Sequence, residues 1–250
     1  RYLSAGYDAL LAAAKLIAQG GIVALKGLGG FHLIVDARNN EAVERLRRRK
    51  ARYEKPLAVM VASSAYAETL CAVSDAERAA LESAAAPIVL LRYTGHEIAP
   101  QVAPGNPYLG VMLPYTPLHH LLLQELGFPI VVTSGNISGE PIVTDNDAAL
   151  TKLGGVADMF LLHDRPIARP VDDSVLMMVE DEPVVLRRSR GYAPAPFKMD
   201  TPLQAIIATG AHQKNVVAVA HRGSVTLSQH LGDMDSALVQ DVFAHELAGL

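Results

Sequence analysis

The chain has 250 residues, half of them hydrophobic, and a formal net charge of -4 from 22 basic and 26 acidic side chains. That balance excludes a general polyanion-binding surface, so any basic site must be local. Every apolar stretch breaks well short of the ~20 residues a membrane span needs, and Cys71 is the only cysteine, which excludes an internal disulfide or multi-cysteine zinc site and fits a reducing, cytoplasmic compartment.

Leu10, Ala13, Ala14 and Ile17 recur at helical spacing, which predicts a helix over Asp8 to Gln19 stopped by Gly20-Gly21. Ile22 to Leu25 is an apolar run that opens into Lys26-Gly27-Leu28-Gly29-Gly30 and returns as Phe31 to Asp36, a strand, glycine loop and strand. Asn39-Asn40-Glu41 starts a helix that is almost solidly basic from Arg45 to Arg52, and Pro56 precedes a strand at Leu57 to Val61. A helix is expected over Ala76 to Ala86 and a strand over Ile88 to Arg92. Gly95 to Pro117, rich in proline, reads as a long irregular loop. His119 to Leu126 reads as helix, Pro129 to Val132 as strand and Thr133 to Pro141 as a polar turn. A helix near Asp145 to Leu153 and strands near Phe160 to Leu162, Ser174 to Val179 and Val184 to Arg188 follow.

Pro194, Pro196 and Pro202 crowd Gly191 to Pro202 into a predicted linker, with a boundary near residue 200. Beyond it, Gln204 to Thr209, Asn215 to Ala220 and Ser224 to Ser228 read as short strands, with Arg222-Gly223 as a hairpin turn. These cannot complete a domain alone. The length also favours one large domain plus part of another, and the start, Arg1-Tyr2-Leu3-Ser4, has neither initiator Met nor signal pattern, so an excerpt of a longer polypeptide is expected.

Four constellations carry chemistry. In Lys26-Gly27-Leu28-Gly29-Gly30-Phe31-His32 a cation at a strand end precedes glycines whose amides can approach a phosphate, although a plain turn is the competing reading and the spacing matches neither a Walker loop nor a dinucleotide fingerprint. His32 is either substrate-orienting or merely on the opposite strand face. In the basic run, Arg45, Arg47 and Arg49 suit a solvated helix C-terminus, whereas Lys50, Arg52 and Lys55 fall at a helix-to-strand junction able to aim cations into one cleft, as attack on a nucleotide phosphorus requires. Thr133-Ser134-Gly135-Asn136-Ile137-Ser138-Gly139 follows a strand with hydroxyls and an amide that can bind a phosphate or carbonyl group, or simply make a turn. Asp172 and Asp173 could take magnesium or pair with Arg187, Arg188 and Arg190; pairing is the simpler reading, and no metal site is assigned.

Together these segments resemble the YrdC-like family of acyl-adenylate synthases, through Lys50-x-Arg52-x-x-Lys55-Pro56 and Thr133-Ser134-Gly135-Asn136-x-Ser138-Gly139, with Gly135 where many members carry Ala. Lys26 to Leu33, Leu46 to Arg52, His163-Asp-Arg-Pro-Ile, Asp172-Asp-Ser-Val and Arg187-Arg-x-Arg-Gly-Tyr-x-Pro are similar, in order, to the HypF-like carbamoyltransferase branch. Gly210 to Asn215 and Leu227 to Asp233 look like the opening of that branch's transfer domain. The resemblance implies an α/β fold, a twisted mixed sheet with flanking helices around a basic cavity over 1-200, then the truncated first strands of an actin-like ATPase-type domain over 201-250. It implies formation of carbamoyl-adenylate from ATP and carbamate derived from carbamoyl phosphate, with Mg2+ accompanying the nucleotide. The carbamoyl group would pass to the C-terminal cysteine of a HypE-like acceptor in [NiFe]-hydrogenase maturation. The zinc or iron sites of such full-length proteins lie outside this chain. Lys50 and Arg52 are the expected catalytic residues. Lys26, His32, Lys55, Thr133, Ser134, Asn136 and Ser138 are expected to bind substrate or nucleotide, with Arg188 and Arg190 closing the site. Rival readings are a threonylcarbamoyl-adenylate synthase of tRNA modification, an antibiotic O-carbamoyltransferase, and a nucleic-acid-binding module, which the acidic net charge disfavours.

Overall fold

The computed structural model describes residues 3–137, 139–200 and 204–249. In chain order it contains α1 (Gly6–Ala18), β1 (Val23–Lys26), β2 (Phe31–Asp36), α2 (Asn40–Lys50), β3 (Ala58–Met60), α3 (Ser64–Leu70), β4 (Cys71–Ala72), α4 (Asp75–Leu81) and β5 (Ile88–Tyr93). Then come β6 (Tyr108–Met112), α5 (Pro117–Leu126), β7 (Ile130–Ser134), α6 (Asn146–Leu153), β8 (Met159–Leu161), β9 (Val175–Val179) and β10 (Glu182–Arg187). The remaining elements are β11 (Phe197–Lys198), β12 (Ile206–Ala208), β13 (Ala218–His221), β14 (Ser224–Leu227) and α7 (Ala237–Gly249). No helix among the described residues is long and apolar enough to cross a membrane.

A mixed sheet runs β10-β9-β5-β6-β3-β7-β2-β1-β8, with β4 paired to β5 off this path. Its central strands are buried on both faces, and the alternation of side chains sorts their residues between two cores. Ala24, Phe31, Leu33, Val35 and Val131 join Ala42, Val43 and Leu46 of α2 in one cluster. Val23, Leu25, Ile34 and Val132 join Leu10, Ala13 and Ile17 of α1 and Leu122 and Leu123 of α5 in the other. The registers Lys26↔Phe31 and His32↔Ser134 bring the end of β1, the start of β2 and the end of β7 together at one end of these strands.

α2 begins where Asn39 accepts from the Ala42 amide and ends at Ala51, whose φ of 50° is left-handed. The chain turns sharply there, so that Lys50 to Pro56 returns over the same strand ends before β3. A second sheet, β11-β14-β13-β12, includes the expected hairpin, with Arg222 and Gly223 both at positive φ as a two-residue turn requires.

Two expectations need correction, and two helices were not foreseen. The stretch read as an irregular loop contains β6, a central strand between β5 and β3, whose Gly110 would bring a Cβ within 2.9 Å of Ile88 Cγ2. α3, capped by Ser63, and α7 are helices that the sequence pattern does not announce. The predicted linker supplies a strand, since Phe197 pairs with Val225 of β14.

Candidate functional site

These strand ends gather most of the residues singled out from sequence. Lys50 is 4% exposed at the end of α2, and its Nζ donates to Ser134 O at 2.7 Å, Asn136 O at 2.8 Å and Asn136 Oδ1 at 2.6 Å. The same Oδ1 accepts from Ser134 Oγ at 2.8 Å, and Asn136 Nδ2 donates to Glu140 O at 2.6 Å. Lys50 therefore fixes the conformation of the polar turn after β7. Burial and then the Arg52 charge push this lysine down to about 7, opposed by Asp172 and by three acceptors that favour its ammonium form.

Arg52 donates from Nη2 to Pro56 O at 3.0 Å, while its buried Nε has no partner among the described residues. Burial lowers its pKa first, then the charges of Arg187 and Arg47, with Asp172 opposing. Arg187, not chosen from sequence as a site residue, thus belongs to the cluster, and its Nε is held by Asp173 O at 2.7 Å. Lys55 is exposed at the rim and Thr133 is buried beside the turn. Ser138 lies outside the described residues.

Lys26 sits at the end of β1, 4% exposed, with Nζ donating to His163 O at 3.2 Å. It lines a cleft of about 610 Å³ together with Gly27, Tyr115, His163, Arg165 and Arg169. The glycines behind it are needed for close chain packing rather than only for anion approach: a Cβ on Gly29 would lie 2.4 Å from Val171 O, and one on Gly30 2.4 Å from Ile142.

Arg188 and Arg190, expected to close the site, are held by nearby backbone carbonyls and, for Arg190, by Asp173. Arg190 donates to Asp173 Oδ1 and to the carbonyls of Ala85 and Ala86, and Arg188 donates to Tyr192 O and Ala195 O beneath the Phe197 ring. Arg190 thus answers carbonyls and a buried carboxylate while stacking on the Tyr115 ring, and Arg188 Nε has no partner among the described residues. Asp173 is accordingly paired: burial would raise its carboxyl, yet His32 and Arg190 hold it below the usual range. Arg47 is a buried clamp rather than a solvated helix-end charge, donating to the carbonyls of Gln101, Arg52, Tyr53, Lys55 and Val102. No sequence signal separates it from its basic neighbours beyond its place on the inner face of α2. Arg49 likewise binds Val156 O and Asp158, and Arg45 binds Gly20 O.

The Sua5/YciO/YrdC family model, described as telomere recombination, matches residues 15–189, and the HypF Kae1-like domain model matches 201–250. The chain is similar to carbamoyltransferase HypF of Synechocystis sp., 51% identical over 97% of this chain and 32% of that protein, and to that of Rhodobacter capsulatus, 47% identical over 94% and 32%. It spans about a third of the length of these curated relatives. A crystal structure of full-length HypF in its phosphate- and nucleotide-bound form superposes with a TM-score of 0.93 at 43% identity, over 96% of this chain and 38% of that one. Because the family match extends over the strands that present Lys26, Ser134 and Arg187 and the helix that presents Lys50, the chain belongs to the Sua5/YciO/YrdC family.

Proposed function

We propose that residues 1-200 join carbamate to ATP as carbamoyl-adenylate, and that 201-250 begin the segment that passes the carbamoyl group to the C-terminal cysteine of a HypE-like acceptor. A carbamate oxygen attacks the α-phosphorus, and the bond to the β-phosphate breaks with its electron pair leaving on pyrophosphate. The charge gathering on the non-bridging and departing oxygens needs fixed cations. The observation that carries this reading is Lys50 Nζ held by Ser134 O, Asn136 O and Asn136 Oδ1, with the Arg52 charge acting on Lys50 and the Arg187 charge acting on Arg52. The likeness to a HypF crystallised with nucleotide supports it.

Magnesium would travel with the nucleotide. Among the described residues no three His, Cys, Asp or Glu side chains are grouped to hold a metal ion, and Asp173 is engaged by Arg190. A role in [NiFe]-hydrogenase maturation belongs to this proposal and stands or falls with the acceptor. The test is carbamate-dependent exchange of labelled pyrophosphate into ATP. Lys50→Met and Arg52→Met are each expected to lower exchange by about 100-fold or more with the circular dichroism spectrum retained. Exchange at the unsubstituted rate in both variants refutes the assignment.

A further inference from the structure

Behind the wall of the Lys26 cleft lies a set of buried polar side chains that the cation cluster does not use. His32 is 3% exposed, with Nε2 3.3 Å from the Tyr115 hydroxyl and 3.7 Å from Asp173 Oδ2. Asp173 Oδ1 accepts from Arg190 Nη2 at 2.9 Å and Nε at 3.2 Å. The same guanidinium lies 3.6 Å from the centroid of the Tyr115 ring and is itself fixed by the Ala85 and Ala86 carbonyls, each at 2.8 Å. Burying such a chain of partners is costly, and its effect is to hold one group rigidly. That group is Tyr115, which is partly exposed and lines the cleft next to Lys26 and Gly27.

The network also fixes the polarity of the tyrosine. Burial lowers the pKa of His32 against the opposing pull of Asp173 and, with Asp173, raises that of the Tyr115 phenol well above its ordinary value. The phenol has the His32 nitrogen and the Asp173 carboxylate as partners for its proton and the Arg190 guanidinium as a donor to its oxygen, which leaves one lone pair for a ligand in the cleft. Lys26 spends one N–H on His163 O, and an ammonium has three. The cleft therefore sets an acceptor for N–H beside a cation with donors to spare.

A small ligand that answers both carries a carboxylate and an N–H on one carbon. Carbamate, an amino group bonded directly to a carboxylate carbon, does so; acetate has the same shape and charge but no N–H. We propose that Tyr115 and Lys26 form the acyl subsite, Lys26 holding the carboxylate and the Tyr115 oxygen accepting from the carbamate nitrogen, with His32 as a positioning residue acting through Tyr115. This rests on the carbamate reading above. No bond is made or broken at Tyr115; its contribution is selectivity.

The test uses the full chain, with pyrophosphate exchange measured against ammonium carbamate, acetate and ATP in turn. Tyr115→Phe keeps the ring and the Arg190 stack. It is expected to raise KM for carbamate about two- to tenfold, to lower the preference for carbamate over acetate by the same factor, and to leave KM for ATP unchanged. His32→Ala should reproduce that split, and His32→Gln, which keeps hydrogen-bonding atoms at the ring-nitrogen distance, should restore it. Unchanged carbamate KM and selectivity in Tyr115→Phe overturns the subsite, as does an equal rise in both KM values. Absence of carbamate-dependent exchange in the unsubstituted chain removes the adenylation reading itself, and the subsite with it.

Discussion

His119 offers a sharp test of how the core beneath the site is built. It sits on the inner face of α5 at 0% exposure, and neither ring nitrogen has a partner among the described residues. Its ring lies 5.6 Å from that of His32 and 4.8 Å from that of Tyr115. Burial first, then the neighbouring His32, push its pKa down from 6.5 to about 3. The folded-state value is depressed, so between these limits the unfolded chain binds a proton that the folded chain refuses. Stability present above pH 6.5 is lost as the pH falls toward 3. Linkage puts the loss from this residue at about 2 kcal/mol between about pH 7.5 and pH 5. His119→Leu removes the titrating group and the unpaired nitrogens at similar volume, and an unpaired buried polar group costs ~1–3 kcal/mol. The variant should therefore match or exceed the parent in stability near pH 7.5 and gain about 2 kcal/mol over it by about pH 5. Urea denaturation followed by circular dichroism at both pH values measures the difference. Parallel pH dependence in the two proteins refutes the reasoning, because it would mean that the imidazole is not excluded from protonation by the fold.

Two further substitutions probe the frame of the site. Gly135→Ala places a Cβ 2.7 Å from Phe31 O and 2.9 Å from its carbonyl carbon, in a turn already pinned by Gly135 N to Phe31 O at 2.6 Å. It should cost ~1–3 kcal/mol and raise KM for ATP; a melting temperature and KM equal to the parent's would show that the turn yields freely. Arg47→Met removes a donor from five backbone carbonyls, of which Val102 O keeps the Leu57 N–H, and should cost more than ~2 kcal/mol in urea denaturation. Arg47→Lys should fail to restore it, since one ammonium cannot reproduce the planar fork.

Sequence revealed most of the scaffold because period and punctuation act locally. α1, β1, β2 and α2 follow from apolar spacing, Gly20-Gly21 and the Asn39 cap, and the turn after β7 from its Ser, Gly and Asn content. β6 was hidden because its few residues between Pro107 and Pro114, with Gly110 among them, show strand character only through pairing with β3 and β5. The basic run defeated local reading in another way. Arg47 and Lys50 share composition and helix face, yet one clamps carbonyls across residues 52–55 and 101–102 while the other reaches the turn at residues 134–136. Which partner each finds is settled by sheet order, and that is long-range. Arg190 shows the same limit, since Ala85 and Ala86 lie more than a hundred positions away in the chain.

The accounting of cations argues for an anionic ligand more firmly than any one motif does. Arg47 and Arg190 have their donors engaged by carbonyls or a carboxylate and behave as scaffold, and Arg49 Nη1 binds Val156 O and Asp158. Lys50 too has its three N–H engaged by the turn at residues 134–136, whereas Arg52 Nε has no partner among the described residues; after burial, the charged form of Arg52 is disfavoured by Arg187 and Arg47 and that of Lys50 by Arg52. Asp172 acts favourably on both Lys50 and Arg52. In a chain of net charge -4, holding several cations against one another costs folding free energy that hydrophobic packing must offset. A polyphosphate would reverse that cost, because each phosphate oxygen placed among these groups replaces repulsion with attraction in a partly desolvated site.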